Sequence, residues 1–143
     1  MSLSEARFSL QVNSDFNALS DVLNWFEEEI SPRLSQPLAL SCQLALSEGF
    51  MNAVAHAHQG LPATTPVSLE VSFPSHFLEI KIWDCGKPFD LETRIAQVEL
   101  EDGSSAEKEN GRGLIFLKKL TDEIRYFRDN QGQNCLVLRK EIN

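Results

Sequence analysis

Positive charge is scarce in this chain. Its 143 residues include 13 Lys or Arg against 21 Asp or Glu, for a formal net charge of −8. That balance argues against nucleic acid as a direct partner, since a phosphate backbone is gripped by a basic surface. Proteins or small molecules are the expected partners. Cysteine is also sparse: Cys42, Cys85 and Cys135 are an odd number without paired spacing. They argue against a disulfide framework or a zinc ribbon and read as reduced thiols in a cytoplasm. No apolar run approaches the roughly 20 residues that span a bilayer, so no membrane segment is expected. The first residues, "MSLSEARFSL", show no basic start followed by a hydrophobic stretch, so no secretory signal is expected. Internal repeats, low-complexity tracts and clear linkers are missing too.

What is present is the composition of a soluble globular protein, 42% hydrophobic and 24% charged. The length fits a single domain, 1–143, and such a chain buries about two-thirds of its surface. "RFSLQV" alternates, with Phe8, Leu10 and Val12 on one face, and predicts a strand. From Ser14 to Ile30 the apolar residues keep helical spacing. "SPRLSQP" breaks that helix, and a second starts near Pro37, where a first turn tolerates proline. Two alternating runs follow, Val67–Phe73 and Leu78–Ile82, joined at "PSH" as a hairpin. Residues 91–110 are acidic and weakly periodic and read as a long loop. "GRGLIFLKKL" resumes a helix, and a closing hairpin turns at "DNQG". Strands cluster without regular βαβ alternation. The expected fold is an α+β two-layer sandwich: a mostly antiparallel or mixed sheet of about five strands with three main helices on one face.

Three places carry candidate chemistry. In "LALSEGFMNAVAHAHQG" (44–60), Glu48 and Asn52 are one turn apart, about 6 Å, on the face opposite the stripe Leu46–Phe50–Val54–Ala57. A carboxylate there can accept a hydroxyl proton, and an amide oxygen is a hard ligand for Mg²⁺. The alternative is a solvated polar face. Gly49 costs about 1 kcal/mol against alanine in a helix, which the close approach of another group would justify. His56 continues the Glu48–Asn52 face, whereas His58 points elsewhere, so the two cannot chelate one metal. In "IKIWDCGKPFD", alternation sends Asp84 to the same inward face as Leu78, Ile80 and Ile82, where a buried carboxylate needs donors. A nucleobase amino group is one donor; the alternative is a turn aspartate bonded to its own backbone. Gly86 permits a tight bend or a close ligand approach. In "ENGRGLIFLKKL", Gly111-Arg112-Gly113 opening a helix offers free N–H groups and a cation to an anion.

Taken in order, a helix with E-x-x-x-N, two strands ending in D-x-G, a long loop and G-x-G at a helix resemble the GHKL (Bergerat-fold) ATPases. Within them the chain looks most like the anti-sigma-factor serine kinases of bacterial partner-switching systems. "EGFMNAVAHAH" resembles their E-x-x-x-N-A-x-x-H, "DCGKPFD" their D-x-G-x-P-F-D, and "GRGLIFLKKLTDEIRY" their glycine–helix–D-E-[VI] stretch. The likeness implies ATP and Mg²⁺ as cofactors. Glu48 would be the general base toward a serine hydroxyl, and Asn52 a cofactor and Mg²⁺ ligand. Asp84 would accept from the adenine amino group beside Gly86. Gly111, Arg112, Gly113 and Leu114 would bind the phosphates, with 91–110 as a lid. It further implies a STAS-domain antagonist as substrate, a sigma factor or another client as partner, a homodimer, and a bacterial cytoplasmic location. Pro88 stands where gyrases and histidine kinases carry a second glycine, and "GQNC" stands where many relatives place a threonine. No histidine-bearing dimerisation helix precedes the domain, which speaks against a complete sensor histidine kinase. A nucleotide-dependent binding switch without kinase activity is the alternative; it would need Asp84 and the glycines but not Glu48.

Overall fold

In the computed structural model, which describes residues 6–88 and 109–142, the chain begins with β1 (Arg7–Asn13), α1 (Leu19–Glu29) and α2 (Gln36–Asn52). It continues through β2 (Pro66–Ser72), β3 (Phe77–Asp84), α3 (Glu109–Leu120), β4 (Glu123–Arg128) and β5 (Asn134–Glu141). The element order is the one the periodicity predicts. The boundary of α1 is cleaner than expected. Asp15 Oδ1 accepts from the Asn17 amide at 2.9 Å and caps a 3-10 turn (Phe16–Ala18) that leads into the helix. Ser35 caps α2 in the same way, and Pro37 occupies its first turn, where the missing N–H has no helical partner to lose. Of the lid expected at 91–110, residues 91–108 lie outside the described residues, and Glu109 and Asn110 already belong to α3.

The five strands order as β1-β2-β3-β5-β4, and every pairing is antiparallel. The inward face carries Val67, Leu69 and Val71, then Leu78, Ile80 and Ile82, then Leu136 and Leu138, all buried. The helical layer sets Val22 and Phe26 of α1 and Ala45, Leu46 and Phe50 of α2 against it. Phe26, Leu46 and Phe50 are wholly buried, which stabilises the fold by about 1.5–3 kcal/mol for each large side chain. Helix α2 is central: α1 and α3 both pack on it, and it contacts β3 and β5. The other sheet face is mixed. Arg139 reaches Glu79 at 2.7 Å across β5 and β3, and Trp83 meets Phe127 edge-on at 5.5 Å.

Gly49 is explained by this packing. A β-carbon there would overlap Cδ1 of Ile82, with Ile82 Cγ1 and Leu136 Cδ2 next at 3.6 and 3.7 Å. The group whose close approach justifies Gly49 is therefore the sheet. The missing side chain lets α2 settle onto β3 and β5.

The end of α2 also departs from a regular helix. Beyond Asn52, residues Ala53–Ala57 form a π-helical turn, closed by the His58 amide donating to Ala53 O at 2.9 Å. Such a turn holds one extra residue. On a regular helix His58 would lie roughly 80° around from Phe50; with one residue inserted it takes the place of the seventh residue on, within roughly 20° of Phe50. Ala53 and His58 accordingly turn inward, at 2% and 3% exposure. Val54 and Ala57, expected to continue the buried stripe, are only half-buried.

Candidate functional site

Between β3 and β5 the two inward rungs before the end of the sheet are apolar. Ile80 pairs with Leu138 and Ile82 with Leu136; the next inward pair is Asp84 opposite Asn134. Alternation therefore delivers two polar side chains to the end of a hydrophobic floor, as expected for Asp84. Asp84 is 5% exposed and Asn134 wholly buried. Residues directly opposite in an antiparallel pair have β-carbons roughly 5 Å apart, so the two side chains meet.

Asp84 Oδ1 accepts from the Gly86 amide at 2.9 Å and from Asn134 Nδ2 at 2.9 Å. The turn-aspartate reading thus holds for one oxygen. Among the described residues Oδ2 accepts no hydrogen bond, so one lone-pair-bearing oxygen of a buried carboxylate is left for a donor. Asn134 Nδ2 also donates to Gly86 O at 2.8 Å, while Asn134 Oδ1 accepts from Arg128 Nη1 at 3.0 Å. Turning that amide over would set an acceptor against two acceptors, so its orientation is fixed. Arg128 sits on the same rung of β4 as Asn134 and reaches Gly86 O at 3.4 Å.

Gly86 has a packing reason of its own. A β-carbon there would overlap the backbone carbonyl of Ala57, in the π turn. The bend after β3 and the end of α2 are therefore in direct backbone contact. His58 strengthens that joint. Its Nε2 accepts from the Cys85 amide at 2.8 Å, and its Nδ1 meets Ser14 Oγ at 2.9 Å. Burial pushes His58 below the ordinary histidine range, against the opposing charge of Asp84.

Glu48 and Asn52 are half-buried, one turn apart at the end of α2, with Asn52 the last residue before the π turn. Among the described residues neither side chain forms a hydrogen bond or an ion pair. Gly111, Arg112, Gly113 and Leu114 lie in α3, but that helix begins at Glu109. The glycine–arginine–glycine segment therefore starts two residues into the helix instead of opening it, and the side chains of 111–114 are outside the described residues. The side chain of His56 is outside them as well. No group of three His, Cys, Asp or Glu that could hold a metal occurs among the described residues.

Sequence reasoning missed Ser14 and Arg128, gave His58 no role, and left the contacts of Asn134, within "GQNC", open. Asn134 carried a usable signal: it is the first residue of a strand predicted to pair in the closing hairpin. Its register against Asp84 depends on β5 inserting between β3 and β4, which local pattern does not reveal.

This geometry can be set beside known proteins. The profile of the family described as "Histidine kinase-like ATPase domain" matches residues 12–140. The chain belongs to that family. It is 33% identical over 104 residues to proteins named serine-protein kinase RsbW from Listeria innocua and from Listeria monocytogenes. Each match covers 71% of this chain and 64% of the relative, so the chain spans just under two thirds of the length of those kinases. A crystal structure of the RsbU and RsbW domains of a Mycobacterium tuberculosis protein superposes with a TM-score of 0.62 at 15% identity. It covers 96% of this chain and 32% of that one, and shows a shared fold. As a histidine kinase-like ATPase domain, the chain has the fold of a family defined by ATP binding. No helix among the described residues is long and apolar enough to cross a membrane.

Proposed function

We propose that this chain binds Mg-ATP, phosphorylates a serine of a STAS-domain antagonist, and sequesters a sigma factor or another regulatory client until unphosphorylated antagonist displaces it. A homodimer is part of this reading. The observation that carries it is Asp84: a buried carboxylate at the end of an apolar floor, with one oxygen held by Gly86 and Asn134 and the other left to accept. An adenine amino group is a donor of the right kind for that oxygen. The half-buried Glu48 and Asn52, free of internal partners among the described residues, fit the second half of the site.

ATP with its cation would supply the transferable phosphoryl group and the charge that neutralises it. Asn52 Oδ1 is the protein oxygen offered to Mg²⁺, which commonly takes one or two such ligands and fills the rest with phosphates and water. Glu48 would orient an incoming serine hydroxyl and receive its proton. A carboxylate is a weak base at neutral pH, so positioning and charge stabilisation would contribute most of the rate. The name of the Listeria relatives, serine-protein kinase, supports serine as the acceptor.

The test is incubation with Mg-ATP and a STAS-domain protein, reading phosphoserine by mass spectrometry. Wild type should phosphorylate the substrate, and Glu48→Ala should lose transfer by on the order of a hundredfold or more while keeping nucleotide affinity. Nucleotide binding with no phosphoserine on any STAS partner would favour the alternative, a nucleotide-dependent switch that never phosphorylates. Undiminished transfer by Glu48→Ala would refute the base assignment.

A further inference from the structure

The proposed chemistry makes no use of His58, the buried titratable side chain beside the site. A backbone amide can only donate, so the 2.8 Å contact from the Cys85 N–H requires a lone pair on Nε2. The ring proton is then on Nδ1 and is donated to Ser14 Oγ at 2.9 Å. His58 is therefore neutral and confined to one tautomer. It ties together three separate segments: the residue after β1, the end of the π turn, and the bend after β3.

We infer that His58 is a positioning residue for nucleotide recognition, holding the Asp84–Cys85–Gly86 bend so that Asp84 Oδ2 stays available to an aminopurine base, and holding it only as the neutral ring. The inference rests on the adenine role proposed for Asp84. Its structural basis is a division of labour around the bend. Asn134 fastens Asp84 Oδ1 and Gly86 O from the β5 side. Cys85, between them, has an exposed side chain whose one partner among the described residues is Gln133 Nε2 at 3.9 Å. Its amide is fastened from the helix side by His58. With that bond lost, the peptide linking Asp84 to Cys85 can rotate, and the direction of the carboxylate goes with it.

Protonation would place an N–H on Nε2 facing the Cys85 N–H. Among the described residues the charged group facing the ring is Asp84, from β3, which favours the protonated form. Among the described residues the segment before α1 presents the Ser14 hydroxyl, and the bend presents the exposed Cys85 thiol and backbone amides. Burial outweighs Asp84, so the folded ring titrates below its unfolded value of 6.5. The clamp is then complete above the unfolded value and is lost as pH falls through the lowered folded value.

ATP affinity is measured by calorimetry from about pH 8 to about pH 5.5 for wild type, His58→Phe and His58→Gln, the last able to accept and donate as the neutral ring does. Wild type should bind well at neutral pH and weaken on the acid side. His58→Phe should bind roughly tenfold more weakly at the alkaline end and lose the acid-side decline. His58→Gln should recover most of the affinity without the decline. A purely structural histidine would leave the acid-side decline in place in both variants. Affinity and pH profile unchanged in His58→Phe would overturn the inference alone. Wild type that binds no ATP at any pH would overturn the adenine reading and this inference with it. Should His58→Phe fail to fold, imidazole ¹⁵N NMR of wild type decides. A single Nδ1–H tautomer at neutral pH supports the clamp, and a doubly protonated ring refutes it.

Discussion

Replacing Gly49 with alanine should destabilise the protein even though alanine is the better helix former, and trimming Ile82 should reverse much of the damage. The substitution gains about 1 kcal/mol of helix propensity. Against this, the new methyl overlaps Ile82 Cδ1 in a core where Ile82 is 1% exposed and cannot swing into solvent. Overpacking of that kind costs about 1–3 kcal/mol, so Gly49→Ala alone should come out destabilised by about 1 kcal/mol. Ile82→Val deletes the overlapping atom and should cost about 1 kcal/mol alone. In the double variant the alanine methyl fills the space vacated by Cδ1, and its next neighbours, Ile82 Cγ1 at 3.6 Å and Leu136 Cδ2 at 3.7 Å, are at ordinary contact distance. The helix-propensity gain is then unopposed. The double variant should be more stable than the sum of the singles by about 2–3 kcal/mol. Urea unfolding of the four proteins, compared at equal m-value, gives this coupling energy directly. Additive effects would show that the helix does not rest on the sheet at Gly49, and the packing account of that glycine would be wrong.

Asn134→Ala should lose about 1–3 kcal/mol of stability and weaken nucleotide binding, because it strips Asp84 Oδ1 and Gly86 O of a buried donor; urea titration and calorimetry on the same samples check both, and native stability would refute the network. Of the three thiols only the exposed Cys85 should react with a disulfide reagent in the native protein, since burial raises Cys42 and Cys135 to about 12. Two or three equivalents released at the rate of the first would contradict that burial.

The fold was largely readable because its signals are local. Alternation in Val67–Phe73 and Leu78–Ile82 fixes which side chains point inward, and it carries Asp84 to the inward face by the same rule. Gly49 was visible as an anomaly, but its cause is Ile82, a residue distant in sequence. His58 was left without a role because a π turn shifts the helical phase by one residue, and a 3.6-residue period cannot register that shift. The start of α3 was misplaced for a different reason. Glycines read as punctuation, yet a helix packed against α2 can extend through Gly111 and Gly113 when tertiary contact outweighs propensity. Asn134 became significant only through its register opposite Asp84.

The central claim is that Asp84 reads an adenine amino group, and base selectivity tests it most directly. Adenine presents an amino donor where guanine presents a carbonyl acceptor, and a buried acceptor left facing an acceptor is strongly disfavoured. Calorimetric titration with Mg-ATP and Mg-GTP should show ATP bound and GTP weaker by at least about a hundredfold, with Asp84→Asn losing most of the ATP affinity. Equal affinity for the two nucleotides, or ATP binding unchanged in Asp84→Asn, would contradict the account.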